Sequence, residues 1–553
     1  MNKAVNTARW NLLKIAFVGF LAGIPAGLLM LVCALLLRWL FGLPTPSELF
    51  FDRTFPLVSI DFFIRAIGWA GGYTPLKISG IIGAFSGQIL VAAIGGAIYA
   101  IYLELKDRKG ASRARRSIVD TRGWKLLLPL LLIVWIGFEI FFWPTLLTNY
   151  RGVPPEYAIV LSSLTLLVDF GVCALGIMVF CGLLISGDRT PLLRSETDSK
   201  ALADGRPRRA FLLLGMTALL GIAFSGVLKR LYNVATFFYD GKTYDGPKVA
   251  KITPTVDFYS VTKNIVDPDV VRRLWRLEVA GLVEQPKTYR FEEIEAMQFV
   301  DQETTLMCIS NPIGGGLISN AIWRGVPLPN VLGLSKPKPG VAALLFHAAD
   351  GYYETIPYAK AMEPTTMLAY GMNGGPLPRI HGFPLRMIVP GLYGEKNPKW
   401  LTRIDLLAEG DPRLVRRRGC GFYKEQGWGP NFQIPTFSRI DSPEIKNGRM
   451  TQPLKAGQPV QLRGVAFGGD RGISNVELSL DHEKSWQEAK LLMPGTKISW
   501  SIWGLSWAPS EPGDYVISVR ATDGNGKLQI TEERGTVPQG ATGIQRVAAK
   551  VVA

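Results

Sequence analysis

The feature that most constrains this chain is the uneven distribution of its hydrophobic residues. Apolar runs occupy about residues 13–41, 78–103, 126–146, 157–186 and 211–228, and no comparable run follows residue 230. Each is long enough for a helix that crosses the ~30 Å hydrocarbon core of a bilayer. A chain of 553 residues with 48% hydrophobic content is too long for one domain and too apolar to be soluble throughout. The pattern predicts an all-α bundle of five transmembrane helices over 1–230, then more than 300 residues of folded soluble region.

Charge sets the expected orientation. Segment 104–125 carries Lys106, Arg108, Lys109, Arg113, Arg115, Arg116, Arg122 and Lys125, and segment 187–209 carries Arg189, Arg194, Lys200, Arg206, Arg208 and Arg209. The positive-inside rule makes both loops cytoplasmic, because intervening segments 42–76 and 147–156 hold only Arg53, Arg65 and Arg151. Five spans then leave the N-terminus inside and the soluble region outside, a multi-pass protein of a bacterial-type cell membrane with extracytoplasmic C-terminal domains. Lys229 and Arg230 run against the rule but are outweighed by the two inner loops. Those loops also hold fourteen basic residues, so topology and anionic lipid account for much of the net charge of +16, and no nucleic-acid partner is expected. Arg208-Arg209-Ala210-Phe211-Leu212-Leu213 resembles a twin-arginine export signal, which suits a domain that crosses the membrane already folded around a cofactor. The plainer reading is two topogenic arginines.

The spans offer few redox ligands. The three histidines, His347, His381 and His482, all follow residue 230, and no Cys-x-x-Cys-His occurs, so no haem is expected. Glu139 and Asp169 fall within spans, as a proton or quinone site or a subunit contact would, or as an interfacial acid and a hydrogen-bonded bundle residue. Cys33, Cys173 and Cys181 also lie in spans, leaving Cys308 and Cys420 outside. Cys308 ends the apolar run Thr304-Thr305-Leu306-Met307 and enters the loop Ile309-Ser310-Asn311-Pro312-Ile313-Gly314-Gly315-Gly316. A thiol at a strand end beside a Gly-rich loop suits a nucleophile, one half of a disulfide with Cys420, or a metal ligand.

Texture divides the soluble region in two. Residues 231–445 mix short alternating runs, such as 275–281 and 385–391, with Pro/Gly turns and short helices, an α+β pattern. Residues 446–553 read as strand throughout, with runs at 458–466, 473–480, 499–503 and 515–523, as in an immunoglobulin-like sandwich. The segment 438–456 is expected to hinge the two.

An ordered set of motifs then carries a resemblance. Cys308 with its flanks, Asp350-Gly351-Tyr352, Ala369 to Gly374, His381-Gly382-Phe383-Pro384-Leu385-Arg386, Val389-Pro390-Gly391 and Lys399-Trp400-Leu401 together resemble the molybdopterin domain of the sulfite oxidase family. The sandwich, with Gly468-Gly469, Ser479-Leu480-Asp481 and Trp486, resembles that family's dimerisation domain. The resemblance implies a molybdenum–molybdopterin (Mo-MPT) cofactor with Cys308 as metal ligand. It implies cofactor contacts from Tyr259, Lys263, Asn264, Asp350, His381, Arg386, Asn397 and Lys399, and a homodimer through the C-terminal domain.

Departures from the family bear on the substrate. Sulfite oxidases follow their cysteine with Ala-Gly-Asn-Arg-Arg, but Ile309 to Ile313 supply no arginine to hold the sulfite anion. The active-site tyrosine of the family falls near Lys424 to Gly429, so Tyr423 or Trp428 takes its place as a catalytic candidate, with Arg324 a candidate cation. The expected function is a membrane-anchored oxidoreductase performing two-electron oxygen-atom transfer on a small molecule. Its electrons would pass to or from a cytochrome c or a membrane redox subunit. Alternatives are an S- or N-oxide reductase, or a non-catalytic subunit of a respiratory assembly.

Overall fold

The computed structural model describes residues 2–54, 73–109, 124–185, 250–415 and 433–553, apart from 263, 265, 266, 537 and 538, with scattered positions in 58–70 and 215–226. The chain divides into an N-terminal unit that runs to Ala235 and a C-terminal unit from Thr236, which also takes in Arg151–Val153.

The N-terminal unit is helical. Its elements are α1 (Asn2–Phe41), α2 (Pro46–Thr54), α3 (Tyr73–Lys109), α4 (Trp124–Phe142) and α5 (Pro155–Ile185). Among the described residues, four stretches are long and apolar enough to cross a membrane: Leu12–Phe41, Ile78–Lys106, Trp124–Phe142 and Tyr157–Leu184. The expected fifth helix lies mostly outside the described residues, as do Arg208 and Arg209. Small side chains let α1 and α3 approach closely, with Gly19 and Gly23 facing Ala92 and Gly96. Large apolar side chains such as Ile133, Ile140 and Val160 point outward, as lipid-facing residues do. Inside, Arg38 pairs with Glu48 at 3.2 Å, Glu139 accepts from Ser163 Oγ at 2.8 Å, and Asp169 is fully buried.

Two sheets, one mixed and one antiparallel, form the first part of the C-terminal unit. One has the order β2 (Lys287–Tyr289), β1 (Leu277–Gly281), β10 (Leu401–Ala408), β5 (Val341–Ala348), β6 (Tyr353–Pro357), with only β1 and β10 parallel. The other runs β3 (Val300–Met307), β4 (Ile318–Pro327), β7 (Met367–Met372), β8 (Gly375–Pro376), with β9 (Arg386–Ile388) also on β7. Every residue of β7 is buried, which is why its sequence, Met-Leu-Ala-Tyr-Gly-Met, lacks polar alternation. A core of Trp275, Phe291, Phe346, Leu385, Met387 and Trp400 fills this region, and Trp275 Nε1 donates to Leu401 O at 2.8 Å.

The rest is all strand. One sheet joins β11 (Phe437–Ser442), β15 (Val460–Phe467), β19 (Ser501–Trp507) and β18 (Lys490–Met493). The other joins β12 (Ile445–Lys446), β13 (Arg449–Met450), β21 (Gln545–Val552), β20 (Gly513–Asp523), β16 (Ile473–Ser479) and β17 (Gln487–Glu488), with β14 (Leu454–Lys455) also on β21. Leu462 and Trp503 from the first meet Val476, Ile517 and Val547 from the second in one core, so the domain is a sandwich. β11 already pairs with β15, so sandwich structure begins at Phe437, ahead of residue 446, and the segment expected to hinge holds strands.

Candidate active site

The motif residues converge at one end of the β3–β4–β7–β9 sheet. Cys308 follows the last residue of β3, and its N–H donates to Leu317 O at 2.9 Å across the loop that returns to β4. Phe258, Tyr259, Leu306, Cys308, Trp323, Met367 and Ile388 form the apolar floor of the site. The loop from His381 to Lys399 supplies the cations.

Those cations form a cradle. Arg386 is buried at the start of β9, with its guanidinium 4.8 Å from the Trp323 ring centroid; Nη1 donates to His381 O at 3.0 Å and Nη2 to Asn397 O at 3.4 Å. Lys399 Nζ donates to Ile380 O at 3.0 Å and Ser260 Oγ at 3.4 Å, and lies 4.3 Å from the Trp400 ring centroid. Gly382 makes this convergence feasible: its φ is +114°, and a Cβ there would stand 3.0 Å from Lys399 Cβ and 3.1 Å from Arg386 Cβ. Burial pulls Arg386 down to about 10 and also lowers Lys399, which Asp267 partly offsets. His381 Nε2 sits 3.1 Å from Thr255 O, and burial together with the charges of Arg386 and Lys399 drives its pKa down to about 3. It is therefore a neutral imidazole, and its Nε2 carries the proton given to Thr255 O. At the edge of the cradle, Asn264 Nδ2 donates to Asp350 Oδ2 at 2.9 Å.

The thiol corner has a different character. Burial pushes Cys308 up to about 11, Ser310 opposes the shift by hydrogen bonding, and the charge of Glu395 adds to it. Tyr259, stacked on Phe258 at 5.5 Å, is held well above the usual phenol range by burial and by the charge of Cys308. Tyr393 is raised too, first by burial, and its Oη is buried with no hydrogen-bond partner among the described residues. Gly394 lies between these groups: a Cβ there would come 2.6 Å from Tyr259 Oη and 3.8 Å from Cys308 Cα. Asn311 turns its Oδ1 back to the Leu317 N–H at 2.8 Å, which leaves its buried Nδ2 without a partner among the described residues.

The structure thus brings Cys308, Tyr259, Asn264, Asp350, His381, Arg386 and Lys399 together. Asn397 is present in a supporting position, because Oδ1 accepts from Val389 N–H at 2.6 Å and Nδ2 donates to Tyr393 O at 2.9 Å. Lys263, Tyr423, Trp428 and Cys420 lie outside the described residues. Arg324 is not in the cluster. Strand alternation turns it away from the face on which neighbouring Trp323 meets Arg386, and it forks onto Asp301 at 2.9 and 2.7 Å and packs on Phe299. Sequence reading missed Trp323, Asn311, Tyr393 and Glu395. Asn311 sits in the loop already singled out and was a findable signal, whereas the others reach the site through chain folding alone.

Residues 264–414 match the family model described as the oxidoreductase molybdopterin binding domain, and residues 433–536 match the Mo-co oxidoreductase dimerisation domain. Mitochondrial sulfite oxidase of Mus musculus is 30% identical over 318 residues, covering 50% of this chain and 57% of that one. Sulfite oxidase of Gallus gallus is 30% identical over 319 residues, covering 50% of this chain and 68% of that one. The chain belongs to the sulfite oxidase family. It spans little more than half the length of the mouse relative. A solved structure, the sulfane dehydrogenase SoxCD from Paracoccus pantotrophus, is similar at 22% identity and TM-score 0.47, over 56% of this chain and 85% of that one.

Sulfite oxidase family membership brings a molybdenum–molybdopterin cofactor, and the residues here fit it. Among the described residues Arg386, buried, has no carboxylate partner, so its guanidinium stands without a close counter-charge, while the part-buried Lys399 beside it feels Asp267 and Asp350 only as longer-range charges. A phosphate supplies that counter-charge, and a buried cation is costly without one. Asn311 Nδ2, in the turn that follows the thiol, is a buried donor without an acceptor among the described residues, as a donor kept for a bound group would be.

Proposed function

We propose that this is a membrane-anchored, extracytoplasmic molybdenum oxidoreductase that performs two-electron oxygen-atom transfer. The observation that carries it is a buried thiol beside a cationic cradle whose buried Arg386 has no carboxylate partner among the described residues. Bound here, the cofactor supplies the oxygen-atom chemistry and holds the electron pair until a partner exchanges it. Cys308 gives the metal a soft thiolate ligand. Arg386 and Lys399 hold the pterin phosphate, with Asn264, Asp350 and His381 along the pterin and Lys263 at its entry. Tyr259 keeps its phenol proton and acts as an O–H donor near the reacting atoms. Asn397 shapes the loop behind Arg386.

The apolar helices support the anchor, and charge asymmetry in the loops supports a cytoplasmic N-terminus with five spans. We further read the sandwich as an immunoglobulin-like dimerisation module, and a cytochrome c or membrane redox subunit as the electron partner. A neutral S- or N-oxide is favoured over sulfite, because Ile309 to Ile313 bring no cation to Cys308 and Glu395 adds an opposing charge. Tyr423 and Trp428 remain the candidates to line the substrate side.

Metal analysis of the purified full chain tests the core of this reading. Wild type should carry about one molybdenum, and Cys308→Ser should lose most of it. Absence of molybdenum from wild type would sink the proposal. With metal present, following its redox state against sulfite, S-oxides and N-oxides identifies the substrate class.

A further inference from the structure

The turn that carries Cys308 is built from both domains of the C-terminal unit. Leu306 and Cys308 face the core containing Phe258 and Trp323, whereas Met307 and Ile309 face a separate core made with Phe437, Phe467, Trp500 and Ile502 of the sandwich. Period-two alternation therefore seats the sandwich directly behind the thiol. Hydrogen bonds reinforce the seating: Thr305 N–H donates to Ile498 O at 3.0 Å, and Trp500 N–H donates to Thr305 Oγ1 at 2.9 Å.

Beyond Cys308 the sandwich reaches into the turn. Arg439 on β11 is fully buried; its Nε pairs with Asp441 Oδ1 at 2.6 Å and its Nη1 donates to Gly315 O at 2.6 Å. Gln545 on β21 accepts from Ile440 N–H at 2.6 Å and lies against Gly314, whose φ is +69° and where a Cβ would stand 2.6 Å from Gln545 Nε2. A buried Arg–Asp pair does little for stability compared with apolar packing of the same volume. What this pair does is hold a two-pronged donor at a fixed place, one prong on its own strand and the other on the carbonyl two residues before Leu317, whose O accepts from Cys308 N–H.

We propose that Arg439 is a positioning residue: through Gly315, and with Gln545 against Gly314, the sandwich fixes the direction in which Cys308 presents its sulfur. The consequence for the metal rests on the reading of Cys308 as its ligand; the ordering of the turn does not.

The test uses the full chain in detergent with its native complement of cofactor. Arg439→Lys keeps the charge beside Asp441 but lacks the fork, and Gln545→Ala removes the prop on Gly314. Both should melt near the wild-type temperature while amide exchange in 309–317 rises roughly tenfold or more, the scale of one lost hydrogen bond, and exchange in β5 stays unchanged. The electron paramagnetic resonance signature of the half-reduced metal should shift in both variants, reporting altered sulfur geometry. Wild-type exchange in 309–317 in both variants, or faster exchange spread evenly over residues 250–553, overturns the proposal. An unshifted metal signature overturns its link to the sulfur. A wild-type protein without molybdenum defeats the ligand reading instead, and the exchange data still decide whether Arg439 orders the turn.

Discussion

The cradle around Arg386 and the corner around Cys308 share a sheet and one apolar floor, yet their electrostatics are opposed. The cradle gathers Arg386, which has no carboxylate partner among the described residues, and Lys399, which Asp267 and Asp350 offset only in part, and it keeps His381 neutral so that no third positive charge is added. The corner gathers groups that retain their protons, Cys308, Tyr259 and Tyr393, around the charge of Glu395. On the proposed reading, the first region takes the anionic part of the cofactor and the second its metal. The difference in electrostatics means that, if the proposed roles hold, loss of phosphate binding and loss of metal are separable by mutation.

The sharpest way to break the comparison is Arg386→Met. Removing a buried donor to a phosphate costs about 2–5 kcal/mol of binding, so pterin recovered from the purified protein should fall on the order of a hundredfold. The cofactor-free protein should move the other way. With the uncompensated charge replaced by apolar packing it should gain about 1–4 kcal/mol, read as a higher melting temperature. If the cofactor-free melting temperature falls instead, the cradle is not poised for an anion.

Cys308→Ser probes the other region and should remove molybdenum while pterin phosphate still binds, so the metal-to-pterin ratio falls several-fold. Between these two in size lies a pH effect at His381. Its folded pKa is depressed to about 3, so the folded state refuses a proton that the unfolded chain takes up below about 6.5. Stability from this group is therefore complete above about 6.5 and is lost as pH falls toward 3, at no more than about 1.4 kcal/mol per unit. His381→Gln should flatten that acid limb in denaturant titrations, whereas a purely structural histidine with an ordinary pKa would leave it in place.

Much of this arrangement could be read from the chain because short motifs carry their own geometry. A cysteine at the end of an apolar run, the His381 to Arg386 motif and the Asp350-Gly351-Tyr352 motif are each visible as short strings, and the structure brings them together. The alternation in 458–466 and 515–523 marked real sandwich strands for the same reason. What escaped depends on tertiary placement. Trp323 reads as an ordinary strand residue and becomes the ring beneath Arg386 only because β4 lies beside β7 and β7 beside β9. Tyr393 and Glu395 sit far in sequence from Cys308. Residues 438–446, with their Asp, Pro and Lys, read as a linker, yet β11 is held as a strand by pairing with β15.

Arg324 gives the smallest expected effect and tests the boundary of the site. Arginine near a proposed oxyanion pocket is attractive on paper, but here both partners of the Arg324–Asp301 pair are more than two-fifths exposed. Exposed pairs contribute about 0–1 kcal/mol because water screens them and the side chains lose freedom in forming them. Arg324→Ala should therefore leave the melting temperature near that of wild type and kcat/KM within about twofold. Glu395→Gln should do more, a several-fold shift toward anionic substrates, because its charge acts in the buried corner where screening is weak. If Arg324→Ala instead raised KM or lowered kcat for an anionic substrate more than Glu395→Gln altered them, substrate would approach over the β3–β4 surface. The thiol corner would then not be where the reacting anion is sorted.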